Sequence, residues 1–175
     1  MGWIVTAKIL ANACLFCGAA AWGWSITYIL QRRPKELREL RTALQILETE
    51  ITYAATPLPE AFQLIKESSS GQTAAFFERA AVEFERHQIA GLAWQRAVDV
   101  LYQQTAWNRE DRAIIVALAP TLGLSDKQDQ LKHLRLCQER LSRAEESAAE
   151  RVGEKVRLYR SLGILTGLLL VLLAW

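Results

Sequence analysis

Cysteine, histidine and charge imbalance are all scarce in this chain, and each shortage removes a class of function. Three cysteines are too few for a disulfide framework, and with Cys14 and Cys17 in an apolar stretch only Cys137, His87 and His133 remain as candidate ligands, fewer than the four cysteines and histidines of a structural zinc site. Cys14 and Cys17 do stand at C-x-x-C spacing, but inside an apolar stretch. There the spacing sets two small thiols on one helix face, which suits close packing between helices better than metal or redox chemistry. The nine glycines form neither G-x-x-x-x-G-K nor G-x-G-x-x-G, so the common phosphate cradles are missing. No G-x-S-x-G elbow and no pair of histidines at ligand spacing occurs. Accordingly no catalytic residue, cofactor or metal site is expected, and the chain does not read as an enzyme. A net charge of +2 gives no argument for nucleic acid as a partner.

What the chain does have is apolar sequence at both ends. Ile9 to Leu30 contains no charged side chain, enough for about 33 Å of helix and hence for the hydrocarbon core of a bilayer. A cleavable signal peptide, with Lys8 as its head and Ala19 to Ala21 as its cleavage site, would turn polar after the alanines. This stretch continues instead through Trp22, Trp24, Ile26 and Ile29, with the tryptophans and Tyr28 suited to an interface. Arg32, Arg33, Lys35, Arg38 and Arg41 follow, against Lys8 alone on the other side, so the middle of the chain is expected in the cytoplasm. Leu162 to Trp175 is again apolar or small throughout, preceded by Arg151, Lys155, Arg157 and Arg160. Counted from Tyr159, with Arg160 snorkelling to the headgroups, it makes a short second span. The division expected is an N-terminal transmembrane helix over 1–31, a cytoplasmic helical bundle with a stalk over 32–157, and a C-terminal transmembrane helix over 158–175.

Between the blocks the periodicity is helical. From a start at Pro34, Leu37, Leu40, Leu44, Leu47 and Ile51 recur at alternating steps of three and four, with charges between them. Pro57 and Pro59 stop that helix and open a short one through Phe62 and Ile65, which ends at the Ser68 to Gly71 run. Ala74 to Arg86 places Phe76, Phe77, Ala80 and Phe84 on one face, and His87-Gln88 breaks it. A fourth helix carries Leu92, Ala93, Val98, Leu101 and Trp94. Asn108 caps a fifth, expected to end near Leu122-Gly123. The sixth opens with a Ser125/Gln128 capping box and Asp126 at its positive end, and buries Leu134, Cys137, Leu141, Ala144 and Ala148. No proline interrupts it up to Trp175. The fold class expected is therefore all-α, a six-helix cytoplasmic bundle whose last helix continues into the membrane, with Glu145 to Arg157 as a solvated stalk or as a section lying along the first helix.

The segment from Arg33 to Ile51, then Tyr53 and Ala55 to Phe62, Leu124 to Leu136, and the terminal Leu162 to Leu173 region together resemble the stage III sporulation protein AB family. Lys127-Gln128 departs from the basic-acidic pair expected there. The resemblance implies a component of the channel complex joining mother cell and forespore in endospore-forming bacteria. It also implies likeness to the platform, or F, proteins of type II secretion and type IV pilus machines, whose cytoplasmic domains are six-helix bundles. The implied partners are the bilayer, an ATPase-like protein of the sporulation AA type and other membrane proteins of the complex, with self-association left open. On that view the chain is a non-enzymatic scaffold on the mother-cell side of the engulfing membrane. Its candidate contact residues are Arg38, Glu48, Glu50, Asp129, Gln130 and His133, each of which could equally be paired within the bundle or merely solvate a helix face. A second reading, from another class, is a membrane-anchored sensor with a ligand pocket lined by Phe76, Phe84 or Trp94.

Overall fold

The computed structural model describes residues 30–54, 56–123 and 126–173, and among these every regular element is helical. The chain forms two compact units, one of Met1–Arg32 with Ala149–Trp175 and one of Arg33–Ala148. In its described part the first unit is helix throughout. The second is the bundle.

Helix α1 occupies residues 30–49 of the described chain, and its expected stripe is its buried face. Leu37, Leu40, Leu44 and Leu47 are fully buried, since a three-four spacing keeps them on one side of the helix. Pro34 does not start the helix, because residues 30–33 are already helical. A proline there gives up one backbone hydrogen bond. Its neighbour Arg33 is tied to Asp111, 78 residues further along the chain, and Pro34 itself is buried, so tertiary contacts hold the backbone in place. The end of α1 widens into a π-helical turn, Glu50–Ala54, which no feature of the sequence announced. Pro57 and Pro59 then act as expected: Pro57 is the cap residue of α2, Leu58–Ser68.

Helix α3, Gly71–His87, starts three residues earlier than the apolar pattern indicated, with Gly71 at φ +59 supplying the turn. It ends where expected, Gln88 adopting the left-handed conformation at φ 56 while its N–H returns to the Phe84 carbonyl. Helix α4, Ala90–Leu101, follows at once. Helix α5, Arg109–Val116, opens on Asn108 in a reciprocal capping box with Asp111. It stops well short of Leu122. Pro120 has no N–H to donate to the Val116 carbonyl, so the α-helical pattern cannot continue and the chain passes instead into a 3-10 turn, Ala119–Thr121. Gly123, at φ +76, closes that turn rather than the helix.

Helix α6 runs from Lys127 to Leu173 without a break. Ser125, half of the expected capping box, lies outside the described residues. The cap observed comes from Asp126, whose Oδ1 accepts the N–H of Asp129 at 2.8 Å. Leu131, Leu134, Cys137, Leu141 and Ala148 face the core. Glu145 is not part of a solvated stretch. It is 7% exposed and ion-paired with α1, so the helix still belongs to the bundle there.

The centre of the bundle is aromatic. Trp94 meets Phe76 edge to face at 4.6 Å and lies 5.9 Å from Phe77 and 6.2 Å from Phe62, and its indole N–H donates to the Ile115 carbonyl at 2.8 Å. The first expected span and the Cys14/Cys17 pair lie outside the described residues. The second falls on the end of α6, whose backbone is helical and whose side chains lie outside the description from Leu162 onward. Among the described residues, no helix is long and apolar enough to cross a membrane.

Candidate interaction face

Helices α1 and α6 lie antiparallel and are joined by polar contacts at several levels. Arg38 Nε donates to Glu145 Oε1 at 2.6 Å, and Arg41 approaches the other oxygen of the same carboxylate at 3.2 Å. Two turns further on, Gln138 Nε2 donates to the Leu44 carbonyl at 3.1 Å and to Glu48 Oε2 at 3.0 Å, and Arg135 Nε donates to Glu48 Oε1 at 2.6 Å. Last, Lys127 Nζ reaches the Thr52 carbonyl at 2.9 Å. The periodicity that aligns the apolar stripes also sets these polar residues along the two edges of the seam.

At the Lys127 end the seam opens into a concavity of about 310 Å³, bordered by Glu48, Thr52, Tyr53, Arg135 and Gln138. Tyr53 stands on the π-turn with 85% of its surface exposed. Such turns are over-represented at functional positions because they displace one side chain from the regular helical face. Two polar atoms at this end, Thr52 Oγ1 and Gln130 Nε2, are buried without a hydrogen-bond partner among the described residues. A buried group left this way costs about 1–3 kcal/mol, so its presence marks a place not optimised for stability alone.

The six expected contact residues do not form one patch. Asp129 and His133 stand one turn apart on α6, 3.6 Å between Oδ1 and Nε2, both part-exposed. Gln130, beside them in sequence, points inward and is 8% exposed. Glu48 is engaged by Arg135 and Gln138, and Glu50 accepts the Thr56 hydroxyl at 2.6 Å. Arg38 lies several turns away at Glu145, its own side chain 64% exposed.

Sequence reasoning missed the opposite end of α1. Arg33 makes a two-pronged contact with Asp111, Nε to Oδ2 at 2.8 Å and Nη2 to Oδ1 at 2.9 Å, and Asp111 is fully buried. Its hydrogen bond to Asp111 raises the Arg33 pKa against the opposing effect of burial. Glu36 accepts the Ala106 N–H at 2.7 Å one turn on. The basic run after Leu30 is therefore largely neutralised within the fold: Arg33 by Asp111, Lys35 by Glu39 at 3.8 Å, Arg38 and Arg41 by Glu145. A bidentate partner 78 residues away leaves no local signal.

Burial pushes the Cys137 thiol up to about 12, against a smaller opposing effect of Arg140, which makes it a poor nucleophile. Among the described residues, no group of three or more histidine, cysteine or acidic side chains is placed to hold a metal ion. Phe76 and Trp94, expected to line a sensor's pocket, are fully buried and touch each other, while Phe84 packs part-buried against the same core. The described concavities are polar and lie elsewhere, one at Tyr53 and one bordered by Asp99, Tyr102 and Arg112.

Comparison with known proteins gives consistent results. A family model described as Stage III sporulation protein AB matches residues 8–175. The Stage III sporulation protein AB of Bacillus subtilis (strain 168) is 30% identical over 166 residues, spanning 94% of this chain and 97% of that protein. A solved structure of a Stage III sporulation protein AB is similar with a TM-score of 0.66 and 28% identity, covering 70% of this chain and 97% of the other.

Proposed function

Because the chain belongs to the stage III sporulation protein AB family, we propose that it is a non-enzymatic membrane platform of the channel complex formed between mother cell and forespore. Two spans, over 1–31 and 158–175, anchor it, and the bundle stands in the mother-cell cytoplasm. There it docks an ATPase-like protein and passes conformational change to the membrane, as the F proteins of secretion machines would. The observation that carries this reading is the seam between α1 and α6. The two helices that run toward the apolar ends are the same two that Arg38, Arg41, Glu48 and Gln138 lock together. A load received by the bundle is therefore delivered to both chain ends at once.

Docking is assigned to the Tyr53 concavity with the adjoining first turns of α6, where Glu48, Glu50, Asp129 and His133 are the candidate contacts, while Arg38 at the other end of the seam and the inward-pointing Gln130 are tested as separate candidates. Charge reversal at the titratable positions and Gln130→Lys, followed by co-purification with the ATPase-like protein, is the test. Asp129→Lys and His133→Glu are the most telling changes, because both side chains are part-exposed and, among the described residues, they form an ion pair with each other. Loss of binding with an unchanged melting temperature supports docking at this face. Undiminished binding across all six removes the assignment. Thiol labelling of single cysteines placed at exposed bundle positions such as Thr49 reads the topology separately, and labelling from outside intact cells would overturn the two-span orientation.

A further inference from the structure

A second surface has a different chemistry. Glu83, on the last turns of α3, has only 2% of its side chain exposed and is surrounded by four basic groups. Arg79 Nη2 lies 2.7 Å and Arg86 Nη1 3.4 Å from Oε1, while His87 Nε2 lies 3.5 Å and Arg96 Nη1, from α4, 3.7 Å from Oε2. Three guanidiniums against one carboxylate leave a formal surplus of +2 with His87 uncounted. Glu78 and Asp99 do not relieve it, since they pair with Lys66 and Arg112. Glu85 points to the exposed side of the same helix.

The distances show how the charge is held. Arg79 makes the close contact, but Oε2 of Glu83 is buried with no hydrogen-bond partner among the described residues. Arg86 and Arg96, 60% and 50% exposed, are drawn toward the carboxylate without surrendering most of their donors. A guanidinium carries five N–H groups in a planar fork that matches a carboxylate. Glu83 thus anchors two forks whose outer edges face solvent. Beside them, in the short connection from α3 to α4, Ile89 is 47% exposed.

We infer that the turn joining α3 and α4 is a docking surface for an acidic segment of a partner protein. Carboxylates of the segment are received by Arg86 and Arg96, and one apolar side chain of it covers Ile89. A protein segment is favoured over an anionic membrane by the location of the turn. The start of α4 lies against the turn before α6, where a Cβ on Gly91 would be 2.2 Å from the Ala119 carbonyl oxygen and one on Gly123 3.2 Å from the Ala90 Cβ. This is the end of the bundle where α6 begins, opposite the Arg33 end. The inference rests on the two-span reading only for which end faces away from the lipid, and it concerns residues separate from the Tyr53 concavity.

The probe is a fluorescein-labelled peptide of alternating glutamate and leucine, titrated by anisotropy against the full chain in neutral lipid nanodiscs at low salt, with a lysine-leucine peptide as control. Wild type should bind the acidic probe and not the basic one, more weakly as salt rises. Arg86→Glu with Arg96→Glu should weaken it at least tenfold, Arg86→Lys with Arg96→Lys several-fold, and Arg135→Glu in the concavity should leave it unchanged. Equal binding by the double reversal, or binding lost only with Arg135→Glu, would overturn the inference. So would failure of the acidic probe to bind while vesicles containing phosphatidylglycerol do so through Arg86 and Arg96. Loss of ATPase binding on changing Asp129 alone bears on the concavity and not on this surface.

Discussion

Replacing Arg33 by alanine should destabilise the bundle by about 3 kcal/mol, far more than the removal of a surface arginine. The structure sets that size. Asp111 is fully buried and accepts three hydrogen bonds, two from Arg33 and one from the Asn108 N–H. Taking away Arg33 leaves a desolvated carboxylate with one neutral donor, a loss typically worth about 3–5 kcal/mol. The arginine side chain is itself 20% exposed, so water can enter the vacated space, and the low end of the range applies. Arg33→Lys keeps the charge and loses the fork, and should cost about 1 kcal/mol. The double change Arg33→Met, Asp111→Leu removes the charge along with its counter-charge. It should then cost little beyond the capping bond at Asn108, about 1 kcal/mol. The double variant is therefore expected to be more stable than Arg33→Ala alone. Urea denaturation of a fragment spanning residues 30–148, followed by far-UV circular dichroism, gives the four stabilities. A cost below 1 kcal/mol for Arg33→Ala, or a double variant worse than the single, would falsify the claim that burial of Asp111 governs this contact.

Gly91→Ala should cost about 2 kcal/mol in the same assay, because the added Cβ meets the Ala119 carbonyl oxygen at 2.2 Å and backbone must move to admit it; a neutral result would mean that α4 does not sit so close to the 3-10 turn. Cys137 is the one cysteine in that fragment, and it should resist Ellman's reagent at pH 8 until the fragment unfolds, in line with a thiol pushed up to about 12. Its folded pKa lies above the unfolded value of 9.0, so the neutral buried thiol contributes fully below pH 9 and progressively less as pH climbs toward 12. Wild type should accordingly lose more stability than Cys137→Ala between pH 8 and 10.5, and parallel curves would contradict that.

The parts of the fold legible in the sequence were those governed by local rules. A three-four repeat of leucines can only make one face of a helix, and Leu37 to Leu47 are buried as that requires. Asn108 ahead of two acidic residues is a cap wherever it occurs, and here it is one. The misplaced boundaries have equally physical causes. At Pro34, long-range contacts hold residues 30–33 in a helix that local preference would start later. At Val116, Pro120 ends the helix before the apolar pattern does. The candidate face was legible only in part. Glu48, Glu50, Asp129, Gln130 and His133 were chosen as exposed members of two family-like segments, and the structure does bring those segments together through Lys127 and Arg135. Their inward pairing, the π-turn that lifts out Tyr53, and the clustering of four basic groups about Glu83 depend on which helices become neighbours. That information is spread over the whole chain.

The α1–α6 seam also limits the kind of motion that could pass through the bundle. From Lys127 to Glu145 the polar contacts are distributed over about 27 Å of helix, and the buried leucines of both partners belong to one core. Sliding one helix along the other by a turn, about 5.4 Å, would break every one of these contacts together. It would also leave Glu145, at 7% exposure, without either of its arginines. Partial sliding is no better, because close-packed side chains have no intermediate register in which both sets of leucines fit. Small rotations of the bundle as a whole disturb none of these contacts. Any force applied to this pair should therefore move α1 and α6 as one rigid body and not shear them apart.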